Sequence, residues 1–250
     1  MIRTNVSLWG TFTMLLALLA SCSRTYKVEG CSSVTSLDGK MLYLKLMQGD
    51  EWQTVDSAEV IHGFFKMKGP ADSVRMVMLY MGQEGIMPLV LESGKVEVSI
   101  SNGQLQAKGT PLNDKLYEFI DKRNEMEVQI EELDRKEARL VLEGANLEEV
   151  RPQLQAEGEK LLKEMNDYVE NFITENADNV LGPSVFLMMC ATLPYPMMTP
   201  QIEAIMRVVP TSFKDHPSVK DFLSKAKENM QLIEEHQRLQ ENAAVAAKQR

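Results

Sequence analysis

The sequence has few of the residues that build metal centres and disulfide frameworks. It contains three cysteines and three histidines among 250 residues. His62, His216 and His236 lack a metal-ligand spacing such as His-x-x-x-His, and three cysteines cannot form a multi-disulfide scaffold. No Cys-x-x-Cys motif, Ser-His-Asp order, glycine-rich phosphate loop or nucleophile elbow is present. The sequence therefore predicts no cofactor, no metal site and no catalytic residues.

Positive charge is also scarce. Lysine and arginine total 27 against 36 aspartate and glutamate residues, which gives a formal net charge of -9. A protein that tracks nucleic-acid phosphates needs a basic surface, so nucleic acid is excluded as the expected partner. Hydrophobic residues make up 44% of the chain, with 14 glycines and 10 prolines. This composition is that of an ordinary globular protein, long enough for two modest domains.

The first 22 residues have the pattern of a targeting segment. Arg3 is the only charged residue before Cys22, and the apolar stretch from Leu8 to Leu19 is followed by Ala20-Ser21-Cys22. The stretch is well short of the roughly 20 residues that span a bilayer. The segment resembles the signal peptide and lipobox of bacterial lipoproteins. This resemblance implies that residues 1–21 are removed as a signal peptide and that Cys22 carries the lipid.

A lipidated Cys22 would anchor the protein to a membrane without spanning it, because each buried methylene contributes about 0.8 kcal/mol. Residues 22–25 would then be the lipidated N-terminus and tether. Ser23-Arg24-Thr25 contains no aspartate after the cysteine, which in similar lipoproteins implies outer-membrane sorting with the body facing the periplasm. The expected partners are this membrane and a periplasmic protein.

Residues 26–109 have the alternating pattern of half-buried strands. Leu42, Leu44 and Leu46 fall on one face of their segment, and Gly-containing turns such as Asp38-Gly39 separate successive segments. Short strands at this spacing predict an antiparallel β-sandwich-like domain. Pro88 marks its strand as an edge strand or a bulge. The predicted strands are 26–29, 41–47, 58–61, 64–68, 75–80, 87–91, 96–100 and 104–108.

Residues 110–250 have helical periodicity and predict an all-helical domain that begins with a long helical hairpin, so the fold class is α+β. Thr110 is a candidate N-cap with Pro111 at the first helical position, and Gly144 is a candidate C-cap. The second helix is predicted to restart at Pro152, because an interior proline loses a hydrogen bond. Later helices are predicted to open at Pro183, Pro200 and Pro217.

Four short motifs in the first half of the chain resemble those of a known family. They are Val55-Asp56-Ser57-Ala58, the His62 to Gly69 segment, Leu91 to Val96, and Ala107 to Asp114. The part of the chain that contains these four motifs resembles the domain-of-unknown-function 4369 module of lipoproteins typical of the Bacteroidota. In that family the module usually precedes a thioredoxin-like domain of the peroxiredoxin or cytochrome-maturation type. Each motif also suits a turn or a strand-to-helix junction, so the motifs can be entirely architectural.

The expected function is a non-catalytic, lipid-anchored binding or accessory module of the cell envelope, which the resemblance links to thiol-redox pathways. The alternative is the N-terminal part of a thioredoxin-like thiol-disulfide oxidoreductase whose catalytic domain is missing or separately encoded. Once Cys22 is acylated, Cys31 and Cys190 remain as a candidate disulfide pair. The apolar neighbours of Cys190 favour a free, buried thiol instead.

Two further candidate binding sites are a copper site and a site where an aromatic ring stacks on a sugar. Met76, Met78 and Met81 carry the soft thioethers that bind Cu(I), although filling an irregular core is the favoured interpretation. Trp52, expected in an exposed loop, could stack on a sugar ring.

Overall fold

Strands precede helices along the chain, as the sequence predicted. The computed structural model describes residues 24–49 and 51–248, so the predicted signal peptide and Cys22 lie outside the described residues. No helix within these ranges is both long and apolar enough to cross a bilayer. The α+β fold class is confirmed. The strands are β1 Thr25–Ser32, β2 Met41–Gln48, β3 Glu51–Glu59, β4 Phe64–Pro70, β5 Arg75–Met81, β6 Glu84–Leu91, β7 Gly94–Ile100 and β8 Leu105–Lys108. The helices are α1 Pro111–Leu142, α2 Leu147–Glu175, α3 Leu181–Cys190, α4 Pro200–Val208, α5 Thr211–Lys214 and α6 Pro217–Lys248.

The strands form two four-stranded sheets. Sheet A has the order β4-β1-β7-β8, and sheet B has the order β3-β2-β5-β6. Most neighbours are antiparallel, but β1 and β7 are parallel, with Val28 opposite Val96. Sheet A is therefore mixed and not antiparallel throughout. An alternating sequence shows which side chains share a face, but it carries no information about the direction of the neighbouring strand.

The two sheets bury their alternate residues in one core. Val28, Phe65 and Val96 of sheet A are buried in the same cluster as Leu42 and Leu79 of sheet B. This follows from the two-residue period of a strand, which places every second side chain on the inner face. Buried residues of the helices, including Leu116, Phe172 and Phe186, belong to the same continuous cluster.

The strand predicted at residues 58–61 was correct for residues 58 and 59 only. The strand there is β3, which runs from Glu51 to Glu59, and Ile61 makes only an isolated bridge with Phe64. β3 is an edge strand of sheet B, and most of its side chains are exposed. Because many residues of β3 are polar, the strand has no clear alternation of hydrophobic residues that would predict it. Pro88 lies in β6, the other edge strand of sheet B, as predicted.

The long helical hairpin is formed by α1 and α2. Near its base the rings of Phe119 and Phe172 stack with centroids 4.2 Å apart, and farther out Lys136 pairs with Glu157 at 2.9 Å. Gly144, at a φ of 81°, follows the end of α1, a conformation that glycine adopts without strain.

The predicted start of the second helix at Pro152 was also wrong. α2 begins at Leu147, where the side-chain oxygen of Asn146 accepts a hydrogen bond from the Glu148 backbone N–H at 3.1 Å. Pro152 lies inside the helix on its exposed side. Water can therefore satisfy the carbonyl that the proline leaves without a donor, and the N-cap sets the helix start.

Candidate functional site

Asn113 joins α1 to the free edge of sheet B. Its side chain is completely buried. The side-chain oxygen accepts a hydrogen bond from the Val90 N–H at 2.9 Å, and the side-chain nitrogen donates to the Val90 carbonyl at 2.8 Å. The Tyr117 hydroxyl donates to the Pro88 carbonyl at 3.0 Å. Since β6 has no strand on this side, α1 supplies the hydrogen-bonding partners that an edge strand lacks.

The Leu91 to Val96 and Ala107 to Asp114 motifs meet at this junction. Glu92 accepts a hydrogen bond from the Leu112 N–H at 2.8 Å, and Asp114 accepts one from the Gly109 N–H at 2.8 Å. Gly109 has a φ of 102°, and an added Cβ would lie 2.7 Å from the Lys95 carbonyl oxygen. These contacts give both motifs an architectural role, which is to hold the first helix against the sheets.

Asp56, from the first motif, connects β3 to sheet A. Its carboxylate accepts hydrogen bonds from the Tyr26 hydroxyl at 2.9 Å and from the Lys68 N–H at 3.1 Å. Burial, together with the hydrogen bond to Asp56, raises the pKa of Tyr26 to about 12. The Val55 to Ala58 and His62 to Gly69 motifs therefore also meet, and this meeting point links the two sheets.

An open groove of about 680 Å³ lies between the last strand of sheet A and the helical hairpin. One wall is β8. The other is one face of α1, formed by residues three or four positions apart, and Tyr168 of α2 also lines the groove. We call this cavity the acidic groove. Its lining residues are Gln106, Ala107, Lys108, Asp114, Tyr117, Glu118, Asp121, Lys122, Glu125 and Tyr168.

The acidic groove carries negative charge that its own lysines do not balance. Lys122 pairs with Glu125 at 3.1 Å, and the Asp114 carboxylate accepts a hydrogen bond from the Gly109 N–H. Glu118 and Asp121 make no hydrogen bond or ion pair with any residue in the described ranges. Both carboxylates therefore face the groove with their charge available to a ligand.

The two tyrosines of the acidic groove remain neutral phenols. Burial raises the pKa of Tyr117, and the nearby Asp121 carboxylate adds to the effect. Burial raises the pKa of Tyr168 as well, with further contributions from the charges of Glu118, Glu125 and Glu175. Tyr117 is buried, whereas Tyr168 is partly exposed. The neutral ring of Tyr168 can therefore contact both the aliphatic and the cationic parts of a lysine or arginine side chain.

Sequence reasoning did not identify the acidic groove, although a signal was present. Asp114, Glu118, Asp121 and Glu125 recur at the helical spacing of one face. An acidic stripe on a helix usually faces solvent, so only the position of β8 opposite this stripe turns it into a candidate site.

The structure does not bring the predicted cysteines together. Cys31 is an exposed free thiol on β1, Cys190 is a buried free thiol at the end of α3, and Cys22 lies outside the described residues. Burial raises the pKa of Cys190 to about 12, which keeps its sulfur in the unreactive thiol form near neutral pH. The arrangement gives no support to a bridge between Cys31 and Cys190.

Trp52 lies on strand β3 and not in the loop that was expected. Trp52 is 42% exposed, and its ring packs edge-to-face on Tyr80 with centroids 5.2 Å apart. The Lys45 ammonium lies 4.5 Å from the centroid of the Tyr80 ring. Sugar stacking on Trp52 stays a prediction.

Two of the three methionines considered for copper contribute to the core. Met76 and Met81 are partly buried and pack against it, which is the gap-filling role that the sequence favoured. Within residues 24–49 and 51–248, no three His, Cys, Asp or Glu side chains form a group that could hold a metal ion.

A protein-family model matches part of the chain. Residues 26–116 match a family model described as a domain of unknown function, DUF4369. This match confirms the resemblance to the DUF4369 module for the segment that runs from β1 into the first two turns of α1, which includes all four motifs. A search of curated proteins found no match to the chain.

Proposed function

We propose that this chain is a lipid-anchored, non-catalytic module of the cell envelope that binds a cationic, extended segment of a periplasmic protein in the acidic groove. The observation that carries the proposal is the pairing of an edge strand with a helix face whose Glu118 and Asp121 carboxylates are unpaired within the described part of the chain.

An extended segment fits both walls of the acidic groove. β8 has a single strand neighbour in sheet A, β7, so the backbone groups along its other edge can pair with an added strand. Alternate side chains of such a segment would point towards α1. Lysine or arginine at these positions would reach Glu118 and Asp121 and place their aliphatic stems against the partly exposed ring of Tyr168.

The anchor is proposed from the lipobox that ends at Cys22. Only Ser23 and Arg24 separate Cys22 from Thr25, the first residue of β1. A lipid on Cys22 would therefore hold the two sheets close to the membrane. The helical hairpin would be attached to the membrane only through the sheets.

The thiols support a non-catalytic role. Thiol exchange needs an attacking thiolate and usually a resolving cysteine nearby. Cys190 is buried with a pKa of about 12, and Cys31 lies on a different element with no cysteine partner in the described ranges. The family's association with thioredoxin-like domains makes a thiol-redox protein the first partner to examine. A coding sequence that continued downstream into a Cys-x-x-Cys domain would favour the oxidoreductase alternative.

A peptide titration tests the acidic groove. The probe is a fluorescent peptide of alternating lysine and threonine, and the comparison peptide replaces lysine with glutamate. We expect the purified protein to bind the lysine peptide, and the double variant Glu118→Lys/Asp121→Lys to bind it at least tenfold more weakly, which corresponds to about 1.4 kcal/mol. The interaction should also weaken with added salt.

The control is the double variant Glu131→Lys/Asp134→Lys, which makes the same change in charge on α1 away from the acidic groove. This control should bind the lysine peptide within twofold of the unmodified protein. Equal weakening by both double variants, or equal binding of the glutamate peptide, would contradict the groove as the binding site.

A further inference from the structure

The outer face of sheet A is basic, although the protein as a whole carries a net charge of -9. Alternation along the strands places five lysines and two glutamates on this face, an excess of three positive charges. We call it the lysine face. Its charged residues are Lys27 and Glu29 of β1, Lys66 and Lys68 of β4, Lys95 and Glu97 of β7, and Lys108 of β8.

The strand register concentrates positive charge in one row across the sheet. Lys27 lies opposite Lys68 on one side and Lys95 on the other. Like charges on neighbouring strands repel each other and destabilise a sheet. A row of three lysines therefore destabilises the fold unless anionic groups of the protein or of a ligand compensate the charge.

Glu29 compensates only part of this charge. Its carboxylate lies 3.3 Å from the Lys27 ammonium, 3.5 Å from that of Lys66 and 3.0 Å from that of Lys95. The hydrogen bonds from Lys95 and then Lys27 lower the pKa of Glu29 to about 2. Lys95 also pairs with Glu97 at 3.0 Å. The side chains of Lys27, Lys66 and Lys95 remain 50%, 72% and 48% exposed, and the ammonium groups of Lys27 and Lys66 still have donors available to a second anion.

The lysine row lies next to the point where the chain arrives from its N-terminal segment. β1 begins at Thr25, and Lys27 is two residues farther along. Three residue steps from Cys22 to Thr25 span at most about 11 Å, even when fully extended. A lipid on Cys22 would therefore bring this row within reach of the headgroups of the same bilayer.

An exposed aromatic ring shares the lysine face. Phe64 alternates with Lys66 and Lys68 along β4, on the side opposite the buried Phe65 and Met67. Phe64 is 63% exposed. Lysines around an exposed aromatic residue suit an anionic lipid surface, where the cations meet the headgroups and the ring enters the interface.

We propose that the lysine face binds the surface of an anionic lipid bilayer and thereby orients the anchored protein. The orientation rests on the proposed anchoring at Cys22, whereas binding of the face to lipid does not. In this orientation sheet A lies along the membrane and sheet B faces away from it. The anchor would supply the membrane attachment, and the lysine face would fix which side of the protein a partner meets.

The experiment uses residues 24–250, which contain every described strand and helix and every described core residue. Circular dichroism is used to check that this fragment is folded. The fragment is sedimented with vesicles of equal parts phosphatidylcholine and phosphatidylglycerol, and with vesicles of phosphatidylcholine alone. We expect it to sediment with the anionic vesicles at low salt, to be released at high salt, and to bind the neutral vesicles at least tenfold more weakly.

The exposed thiol of Cys31 provides a second readout, because it lies on the lysine face opposite Phe64 while Cys190 is buried. An environment-sensitive fluorophore on Cys31 should shift to shorter wavelength with anionic vesicles only. This measurement uses the unaltered lysines, so it tests the proposal even where a lysine variant fails to fold.

The triple variant Lys27→Gln/Lys66→Gln/Lys68→Gln should bind anionic vesicles at least tenfold more weakly. The control Lys160→Gln/Lys163→Gln/Lys227→Gln removes the same charge from α2 and α6 and should bind within twofold of the unmodified fragment. A fragment that stays in the supernatant with anionic vesicles, an unshifted Cys31 probe, or equal loss in both triple variants would overturn the proposal. Because the fragment lacks Cys22, none of these results bears on lipidation.

Discussion

Replacing Asn113 with alanine should lower the free energy of unfolding by about 3 kcal/mol. The substitution removes the partners of the Val90 N–H and carbonyl at a site that is completely buried. A buried backbone group without a partner costs about 1 to 3 kcal/mol, and two such groups are left here. The loss should be measured by urea denaturation followed by circular dichroism.

The matched control is Asn124→Ala, which makes the same change on an exposed position of the same helix. Its stability should stay within about 0.5 kcal/mol of the unmodified protein. If Asn113→Ala lowers the stability as little as Asn124→Ala does, the Val90 N–H and carbonyl have other hydrogen-bonding partners in the variant. Asn113 would then not be the residue that joins the helices to the sheet.

Replacing Gly182 with alanine should lower the free energy of unfolding by about 2 to 3 kcal/mol. The added Cβ would lie 2.4 Å from the backbone oxygen of Asn176 and 2.8 Å from its carbonyl carbon. Asn176 is held firmly, because its side-chain nitrogen donates to the Phe172 carbonyl at 2.7 Å and its own carbonyl accepts from the Gly182 N–H at 3.2 Å. The backbone at the turn between α2 and α3 would have to move.

Gly158→Ala is the matched control and should have the opposite sign. Gly158 lies within α2, and its added Cβ would meet only the Leu133 side chain at an ordinary 3.5 Å. Alanine stabilises a helix interior by about 1 kcal/mol relative to glycine. Thermal unfolding of the two variants should therefore move the midpoint in opposite directions. Destabilisation of similar size in both would show that the close approach at Gly182 does not decide the result.

The element types were predictable where one face of an element is buried. β2 and β7 alternate cleanly and were predicted to within one and two residues. Pro111, Pro200 and Pro217 each begin a helix as expected, whereas α3 begins at Leu181, two residues before Pro183. β3 was mostly missed because it is an exposed edge strand whose polar residues give no hydrophobic period. The parallel pairing of β1 with β7 depends on residues about 70 positions apart, and local patterns do not record such pairings.

The sequence indicated important residues without indicating their partners. Asn113 and Asp56 lie in motifs that the sequence singled out, but their roles depend on Val90 and Tyr26, which are distant along the chain. The acidic groove and the lysine face depend on which strands and helices become neighbours. Spacing along one element shows that a charged stripe exists, and only the tertiary fold shows what lies opposite to it.

Attachment of lipid at Cys22 is the central claim, because both the envelope location and the orientation of the lysine face depend on it. The direct measurement is metabolic labelling with radioactive palmitate in a bacterial host that processes lipoproteins, followed by membrane fractionation. The protein and its Cys31→Ser control should incorporate the label and sediment with membranes. The Cys22→Ser variant should incorporate none and either be released or accumulate as the unprocessed precursor. Palmitate labelling of Cys22→Ser equal to that of the control would contradict the claim.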